Sequence, residues 1–403
     1  MSVTPQSWPR HDRDGRMHIY IRIALALAAA AISFTPAWPW GNDGHRTIGM
    51  VADLLLANAP AARDAVSQIL EGVSLSEASV FADCAKGPRV CQRVLSPDEQ
   101  DYVQDNPQHA VFHYTDVAIA QRQYQLGAAG TRADDVVQIA KQSINILRGR
   151  APNQGPAMLS KKQALWVLDH MVGDLHQPLH VGALYFDGDC EDPVDPNVVG
   201  AGMPDFGIGS LVVSTHGGSD LKMRNGESFH VRYWDEGVVR GAMRLPEVHS
   251  RTIADYAQAI INHPPVGWET TGDPQTWPEQ WATEILPLAE SALTDIEIGN
   301  AVKANSREHK CTWPVTLPRA YTQWPFEGCS PPFGFLLLRL PREGCCARVA
   351  ALPHRRAIRL TVFPAMQPTV RLPHPDRAAS VGAMHAFCSF CRHRRRGGCW
   401  CVL

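Results

Sequence analysis

The segment 170-HMVGDLHQPLH-180 places three histidines and one aspartate within eleven residues. His170 and Asp174 are four residues apart, so on a helix their side chains project from the same face. The sequence 177-QPL-179 ends that helix, and His180 follows where the chain turns back. This spacing favours a metal site, but three ligands are fewer than two zinc ions need. The rest of the chain would have to supply the other ligands.

Four other segments each offer metal-binding side chains in a compact motif. They are 40-WGNDGH-45, 79-SVFADCAK-86, 109-HAVFHYTDV-117 and 228-SFHVRYWDEGVV-239. An isolated histidine in such a segment is usually a packed core residue or a surface residue. The joint presence of all five segments along one chain is what favours a metal centre.

The sequence around these motifs is typical of helices. Apolar residues recur at helical spacing over residues 45–57, 133–149, 160–174, 251–262 and 280–303. Asp135 lies in the first turn of the second helix, and Ser160 opens the third. Residues 181–226 are rich in Gly, Pro and Asp, with one short β-like run at Leu211–Ser214. We predict an all-α fold with a long central loop.

Charge is distributed unevenly along the 403 residues, whose formal net charge is −2. Residues 311–403 hold thirteen arginines, no lysine and three acidic residues, a net charge of +10. The first 310 residues must therefore carry −12. An acidic body is not typical of proteins that bind phosphates through Lys and Arg. If this protein binds anions, bound metal ions would have to supply the positive charge.

The N-terminus reads as an export signal covering residues 1–39. Four arginines precede the apolar run 23-IALALAAAAISF-34, and small residues follow it. The alternative is a membrane anchor, but the run is short for a membrane-spanning helix. We expect a periplasmic or secreted protein with no membrane association after processing. In such a compartment Cys84 and Cys91 could form a disulfide, although spacing alone does not fix the pairing.

The composition changes after about residue 318. The segment 319–403 mixes prolines, arginines and clustered cysteines without a sustained helical period. A zinc knuckle built on its CxxC and CxC motifs is one interpretation. We favour the other, a divergent extension that is disordered or frame-shifted. Residues 40–318 would then form the functional domain.

The order of the motifs resembles the zinc-dependent S1/P1-type nuclease family over about residues 40–303. The motifs are WGxxGH, ADxxK, HY, HxxxDxHQPLH, GG and H…WD; the fourth is highly specific and the others are individually weak. Members of this family are extracellular, all-helical enzymes with three zinc ions, related in fold to zinc phospholipase C. The resemblance implies the same fold and cofactors for this chain.

The resemblance also implies three sets of zinc ligands. They are Asp83, His113, His170 and Asp174 for the first zinc; His180, His230 and Asp235 for the second; His45, Asp174 as a bridging carboxylate, and Trp40 for the third. Trp40 would bind through its free amino group and carbonyl, so this ligand requires removal of the signal peptide. Nitrogen and carboxylate ligands suit zinc.

Further residues take roles by the same resemblance. Asp83 would also orient the attacking water, and Lys86 would contact a phosphate; the alternative for Lys86 is a solvated side chain. Tyr114 would stack on a base, and its alternative is core packing. His176 lies outside the ligand sets, and we expect it beside them as a supporting residue.

The function implied is a secreted zinc endonuclease that hydrolyses single-stranded DNA and RNA to 5′-phosphorylated products. It would also act on 3′-nucleotides, and we expect a monomer. One alternative is a phospholipase C-like phosphodiesterase on the same scaffold. The other is a degenerate, non-catalytic member, because the tail diverges where the family has a further amphipathic helix.

Three local departures from the family pattern bear on these alternatives. Pro39 precedes Trp40, and signal peptidase disfavours that bond. His230 and Asp235 are five residues apart where the family has four, which rotates Asp235 by about 100° on a regular helix. A π-bulge would absorb the extra residue. Ser219 stands in the glycine loop where the family commonly has Asn.

Overall fold

The computed structural model describes residues 41–321, except 88–90, 92, 151–154, 200–211, 245–247, 249, 265–269, 304–310 and 320. Trp40, the predicted signal peptide and residues 322–403 lie outside the described residues, so the predictions made for them stay predictions.

Helices dominate the described chain, which confirms the all-α prediction. They are α1 (Gly41–Leu56), α2 (Pro60–Ile69), α3 (Leu75–Ala78), α4 (Phe81–Ala85), α5 (Pro97–Asp105), α6 (Val136–Leu147), α7 (Lys161–Leu175), α8 (Pro178–Val181), α9 (Pro196–Val199), α10 (Val239–Met243), α11 (Ile253–Asn262) and α12 (Trp277–Thr294). A π-helix spans His230–Val238, and 3₁₀ turns span His109–Val111 and Pro274–Thr276.

Side-chain caps begin two central helices: Ser160 begins α7 as the sequence predicts, whereas Asp135, predicted in the first turn of its helix, is the residue that caps α6. The Ser160 hydroxyl accepts a hydrogen bond from the Gln163 backbone N–H, and the Gln163 side chain accepts from the Ser160 N–H. The Asp135 carboxylate accepts from the N–H groups of Val137 and Gln138 at the start of α6. Each cap satisfies donors that a helix start leaves without partners, and contributes about 1 kcal/mol.

Helices α6, α7 and α12 pack around the largest hydrophobic cluster. Its fully buried members include Val137, Ile139, Ile144, Val167, Met171 and Leu175. Burying each such side chain stabilises the fold by about 1.5–3 kcal/mol. The apolar face of α7 is therefore fixed in this core, while its other face carries His170 and Asp174.

Short strands connect the helices. β1 (Val117–Ala118) pairs with β2 (Gly182–Ala183) in parallel, and β3 (Tyr185–Asp187) pairs with β4 (Val212–Ser214) in antiparallel. β8 (Cys311–Thr316) pairs with β5 (Leu221–Lys222) in parallel and with β6 (Glu297–Ile298) and β7 (Val302–Lys303) in antiparallel. Strand β4 confirms the described part of the predicted β-like run.

The predicted helix over 280–303 extends too far. α12 ends at Thr294, and the chain then forms β6 and β7. The apolar Ile298, which fits a helical period, instead lies opposite Val315 of β8. β8 itself was not predicted, although Cys311, Trp313 and Val315 alternate as buried residues along it.

Two disulfides stabilise the described structure. Cys84–Cys91 confirms the pairing that the sequence suggested. Cys190–Cys311 was not predicted; it joins the central loop to β8 across 121 residues. Closing so long a loop restricts the unfolded chain strongly. The packed body also reaches Tyr321, which is 3% exposed and lies past residue 318.

None of the described helices combines the length and hydropathy that a membrane crossing requires.

Candidate metal centre

Eight histidines and aspartates from the five motif segments lie together in one buried pocket. The contributing residues are His45 of α1, Asp83 of α4, His113 after the first 3₁₀ turn, His170 and Asp174 of α7, His180 of α8, and His230 and Asp235 of the π-helix. All eight are at most 6% exposed. The eight predicted ligands that the structure describes therefore lie together, and Trp40 lies outside the described residues.

Helix α7 presents its two ligands as the spacing predicts. His170 Nε2 lies 3.3 Å from Asp174 Oδ2. His170 Nδ1 lies 2.6 Å from the Ser79 carbonyl oxygen, which can only accept, so Nδ1 donates. In the same way His180 Nδ1 donates to the His113 carbonyl at 2.8 Å. These bonds fix each ring and leave its Nε2 lone pair for a metal.

The π-helix resolves the five-residue spacing. A π-helix bonds residue i to residue i+5, so residues five apart lie one above the other, as residues four apart do in an α-helix. His230 Nε2 lies 3.5 Å from Asp235 Oδ1. The extra residue is absorbed locally, as the predicted bulge required, and both ligands share one face.

Three groups of side chains in this pocket could each hold an ion. They are His45, His170 and Asp174; Asp83, His113 and His170; and His180, His230 and Asp235. Two ligands at 2.0–2.1 Å from a tetrahedral zinc ion lie about 3.3 Å apart. In the second group His170 Nε2 lies 3.1 Å from His113 Nδ1, and in the third group His230 Nε2 lies 3.5 Å from Asp235 Oδ1. The residues present fit a metal of that size.

Asp174 lies at the junction of the groups. Its Oδ2 is 3.1 Å from His113 Nδ1, and its Oδ1 is 3.4 Å from His45 Nε2 and 3.6 Å from His180 Nε2. One carboxylate thus faces histidines from three different segments. The bridging role that the resemblance implies for Asp174 stays a prediction.

Several buried polar atoms of the pocket make no hydrogen bond with any residue that the structure describes. They include Nε2 of His45, His180 and His230, and one carboxylate oxygen each of Asp83, Asp174 and Asp235. Leaving such an atom without a partner costs about 1–3 kcal/mol, and more for a charged group. Cations bound between these atoms would remove that cost.

The pKa values favour the metal-binding forms of several ligands. Burial lowers the pKa of His113 to about 3, with Lys86 acting in the same direction. Burial also lowers the pKa of His180 to about 4. Burial opposes ionisation of Asp83, but Lys86 and then His170 outweigh it and lower its pKa to about 2. At neutral pH these are neutral imidazoles and a carboxylate, the forms that bind metals.

His170 differs from the other buried histidines. Burial works against its protonation, but Asp174 and Asp83 together raise its pKa. Both carboxylates are anionic, since the pKa of Asp174 is lowered well below its usual value despite burial, chiefly by His180 and His170. A metal ion bound there would replace the proton that these carboxylates attract.

Gly173 allows α1 to approach α7. A Cβ at this position would lie 2.8 Å from His45 Nδ1. The His45 ring stacks on the His170 ring with centroids 3.7 Å apart. A glycine between the two ligands of α7 therefore makes room for a ligand from α1, a requirement that the sequence analysis missed.

Lys86, Tyr114 and His176 are the other residues for which the sequence analysis proposed roles. Lys86 Nζ donates to Asp83 Oδ1 at 2.7 Å and stays 23% exposed. Tyr114 is half-buried, with the Arg132 guanidinium 5.5 Å from its ring centre. The His176 backbone N–H donates to the carbonyls of Asp174 and Gly173 at the end of α7, while its ring donates to the Val172 carbonyl and packs on Trp281. The supporting role expected of His176 stays a prediction.

A family model described as S1/P1 nuclease matches residues 40–315. The chain belongs to the S1/P1 nuclease family. The match covers more than half of the chain and includes every predicted ligand, so it confirms the resemblance seen in the motifs. No curated protein matches the chain. For this S1/P1 nuclease-family member, the family supports a nuclease-type hydrolase with nucleic acid as its substrate.

Proposed function

We propose that the protein is a secreted or periplasmic zinc-dependent endonuclease. It hydrolyses single-stranded DNA and RNA to 5′-phosphorylated products and acts on 3′-nucleotides. The observation that carries the proposal is the convergence of eight buried His and Asp side chains, Asp174 among them. We propose further that the signal peptide is removed and that the mature protein is a monomer without membrane association.

Zinc is the proposed cofactor, with three ions per chain. The eight described ligands offer imidazole nitrogens and carboxylate oxygens, a donor set that zinc favours. When bound, zinc lowers the pKa of water and neutralises charge on a phosphodiester. His45 and Asp174 would hold the third ion together with the amino group and carbonyl of Trp40. Bound cations would also explain how an acidic domain accepts a polyanion.

Asp83 and Lys86 act on the reacting groups in this proposal. Lys86 Nζ donates a hydrogen bond to Asp83 Oδ1 at 2.7 Å, while Asp83 Oδ2 is buried and makes no hydrogen bond with the described residues. An ionised carboxylate can accept a hydrogen bond from an attacking water and so orient it. The Lys86 ammonium has further donors and is partly exposed, so it can also contact a phosphate oxygen.

Tyr114 is the proposed base-contacting surface. It follows the ligand His113 directly in the chain, and its ring is half-buried rather than part of the core clusters. Stacking on an aromatic ring requires an unstacked base, which single strands provide at lower cost than duplexes. We therefore propose a preference for single-stranded substrates.

The π-helix weakens the case for a degenerate member. On a regular α-helix, the five-residue spacing would turn the Asp235 side chain away from the metal centre. Instead, Asp235 Oδ1 lies 3.5 Å from His230 Nε2 and 4.0 Å from His180 Nε2. This geometry supports the proposal that His180, His230 and Asp235 hold the second ion.

The direct test uses protein exported and processed by its own signal sequence. Labelled single-stranded DNA, single-stranded RNA, duplex DNA and a phospholipid are incubated with it, with and without chelator and with zinc restored. The proposal predicts zinc-restored cleavage of the single strands to 5′-phosphate ends. Cleavage of phospholipid alone would support the lipase alternative. No hydrolysis by folded, zinc-loaded protein would contradict catalysis of either kind.

A further inference from the structure

We infer that Gln177 is a positioning residue that orients the Asp235 carboxylate towards the second metal. The inference rests on the proposed metal centre but not on the identity of the substrate. Gln177 lies within the HQPLH motif, between Asp174 and His180, yet it is not a metal ligand. Its side chain connects the turn that carries His180 to the π-helix that carries Asp235.

The two ends of the Gln177 side chain have different partners. Its carbonyl oxygen accepts the Leu179 backbone N–H, which caps the start of α8. Its amide nitrogen donates to Asp235 Oδ1 at 2.6 Å. A backbone N–H can only donate and a carboxylate can only accept, so the partners fix the orientation of the amide. Gln177 is fully buried.

This contact fixes the plane of the Asp235 carboxylate beside the two histidines. Asp235 Oδ1, which accepts from Gln177, is also the oxygen that lies 3.5 Å from His230 Nε2 and 4.0 Å from His180 Nε2, whereas the buried Oδ2 makes no hydrogen bond with any described residue. A neutral donor to one lone pair of Oδ1 holds the carboxylate plane and leaves the other lone pair of Oδ1, and Oδ2, for a cation, which is how outer partners orient metal ligands. A charged donor would compete with the metal for the same negative charge, and an amide does so less.

Gln177 also fixes the position of His180 relative to Asp235, two of the three side chains that would hold the second metal. Its carbonyl caps α8, and His180 lies in the single turn of that helix. Its amide nitrogen donates to Asp235, which lies in the π-helix, 58 residues further along the chain. A π-helix has no strong intrinsic stability, so its ligand face depends on such tertiary contacts. On another part of the same element, Trp234 Nε1 donates to Tyr321 Oη at 3.2 Å.

A purely structural role is the competing explanation, and Gln142 provides the matched control. Gln142 is also a buried glutamine with both amide ends hydrogen-bonded. Its nitrogen donates to the Ala157 carbonyl at 2.6 Å, and its oxygen accepts the Ala157 N–H at 3.0 Å. Both partners are backbone atoms in the main hydrophobic cluster. Substituting Glu at either position replaces a donor with an acceptor facing an oxygen.

The test is a titration of metal-free protein with Zn²⁺ against a chromophoric competing chelator. The wild type, Gln177→Glu, Gln177→Met and Gln142→Glu are compared, and circular dichroism confirms that each is folded. We expect Gln177→Glu and Gln177→Met to weaken one zinc equivalent by about 10–100-fold and to leave the others unchanged. Gln142→Glu should lower the thermal midpoint without changing any zinc affinity. Gln177→Met serves as the uncharged variant if Gln177→Glu does not fold.

Two results would overturn the inference. In one, folded Gln177 variants bind every zinc equivalent as tightly as the wild type. In the other, Gln142→Glu weakens zinc binding as much as Gln177→Glu does. Failure of the proposed function looks different, because it is seen in the wild type: either no zinc is bound, or zinc is bound and no nucleic acid is cut. In the latter case the Gln177 comparison still stands.

Discussion

Helix α7 and the π-helix His230–Val238 each contribute one histidine and one aspartate to the same pocket, by different geometry. In α7 the two ligands are four residues apart and 3.3 Å from each other. In the π-helix they are five residues apart and 3.5 Å from each other. Nearly equal ligand distances arise from unequal spacings because the hydrogen-bond period differs between the two helices.

The comparison shows that a ligand spacing has meaning only together with the type of helix that carries it. α7 is held by a large hydrophobic cluster and an N-terminal cap, so its period is regular. The π-helix packs Trp234 and Val238 into a smaller hydrophobic cluster, and Trp234 and Asp235 are also hydrogen-bonded to Tyr321 and Gln177. Four predictions test this difference, and they run from the largest expected effect to the smallest.

The largest effect is expected at Asp174, because it faces histidines of several groups. Asp174→Asn should remove more than one zinc ion per chain and lower nuclease activity by at least about 100-fold, the upper end of outer-partner effects. Asp235→Asn, on the π-helix, should remove only one ion. Elemental analysis of folded, dialysed protein gives both counts. Equal loss in the two variants would mean that Asp174 does not bridge the groups.

Acidification should destabilise the metal-free protein. The pKa values of His113 and His180 in the folded protein, about 3 and 4, lie below the value of about 6.5 in an unfolded chain. Between these values only the unfolded chain takes up the proton, so stability is full above pH 6.5 and falls below it. The raised pKa of His170 adds stability that is full below about pH 6.5 and is lost at higher pH, so it offsets part of the loss near pH 7 and none of the loss well below pH 6.5.

The expected slope reaches about 1.4 kcal/mol per pH unit for each of these two histidines. Asp83, with a pKa of about 2, adds a further loss only below about pH 4. Urea unfolding in the presence of chelator at pH 7, 6 and 5 measures the trend. A midpoint that stays constant or rises as the pH falls would show that the histidines are not buried in neutral form.

Gly173→Ala should displace His45 without removing any ligand. The added Cβ would lie 2.8 Å from His45 Nδ1, so the ring must move. We expect about a 10-fold loss of affinity for one zinc ion, comparable to losing an outer partner. A double-mutant cycle with His45→Ala checks the route, because the two changes should not add if both act through His45. Additive losses would place the effect elsewhere in α7.

Deleting Val231 should have the smallest effect. The deletion reduces the spacing between His230 and Asp235 to four residues, which an α-helix accommodates, as α7 shows. We expect zinc affinity within about 10-fold of the wild type and an unchanged number of bound ions. Loss of the second ion in the folded deletion variant would mean that the π-helix does more than absorb one residue.

Much of the site could be predicted from sequence because its motifs are local. The His170–Asp174 pair follows from helical geometry, and the motif order gave the other described ligands. The fold class and the Ser160 cap also followed from local patterns. What could not be predicted depends on contacts between distant segments: the Gln177–Asp235 bond, the space that Gly173 leaves for His45, and the Cys190–Cys311 disulfide.

The boundary errors have the same physical origin. Ile298 fits the helical period of α12, but pairing with β8 outweighs that local preference. The alternation of Cys311, Trp313 and Val315 is typical of a strand and indicates β8. A strand of six residues gives too short a pattern to stand out in the sequence. Tertiary pairing decides such segments, and a single sequence does not display it.

The second metal site is tested most directly by X-ray diffraction at the zinc absorption edge on crystals of the processed protein. We expect anomalous peaks within the pocket, including one coordinated by His180, His230 and Asp235, with His230–Val238 in a π-helix. A zinc ion beside Asp83, His113 and His170, with none beside His230 and Asp235, would contradict this expectation. That result would mean that the extra residue between His230 and Asp235 prevents binding of the second metal.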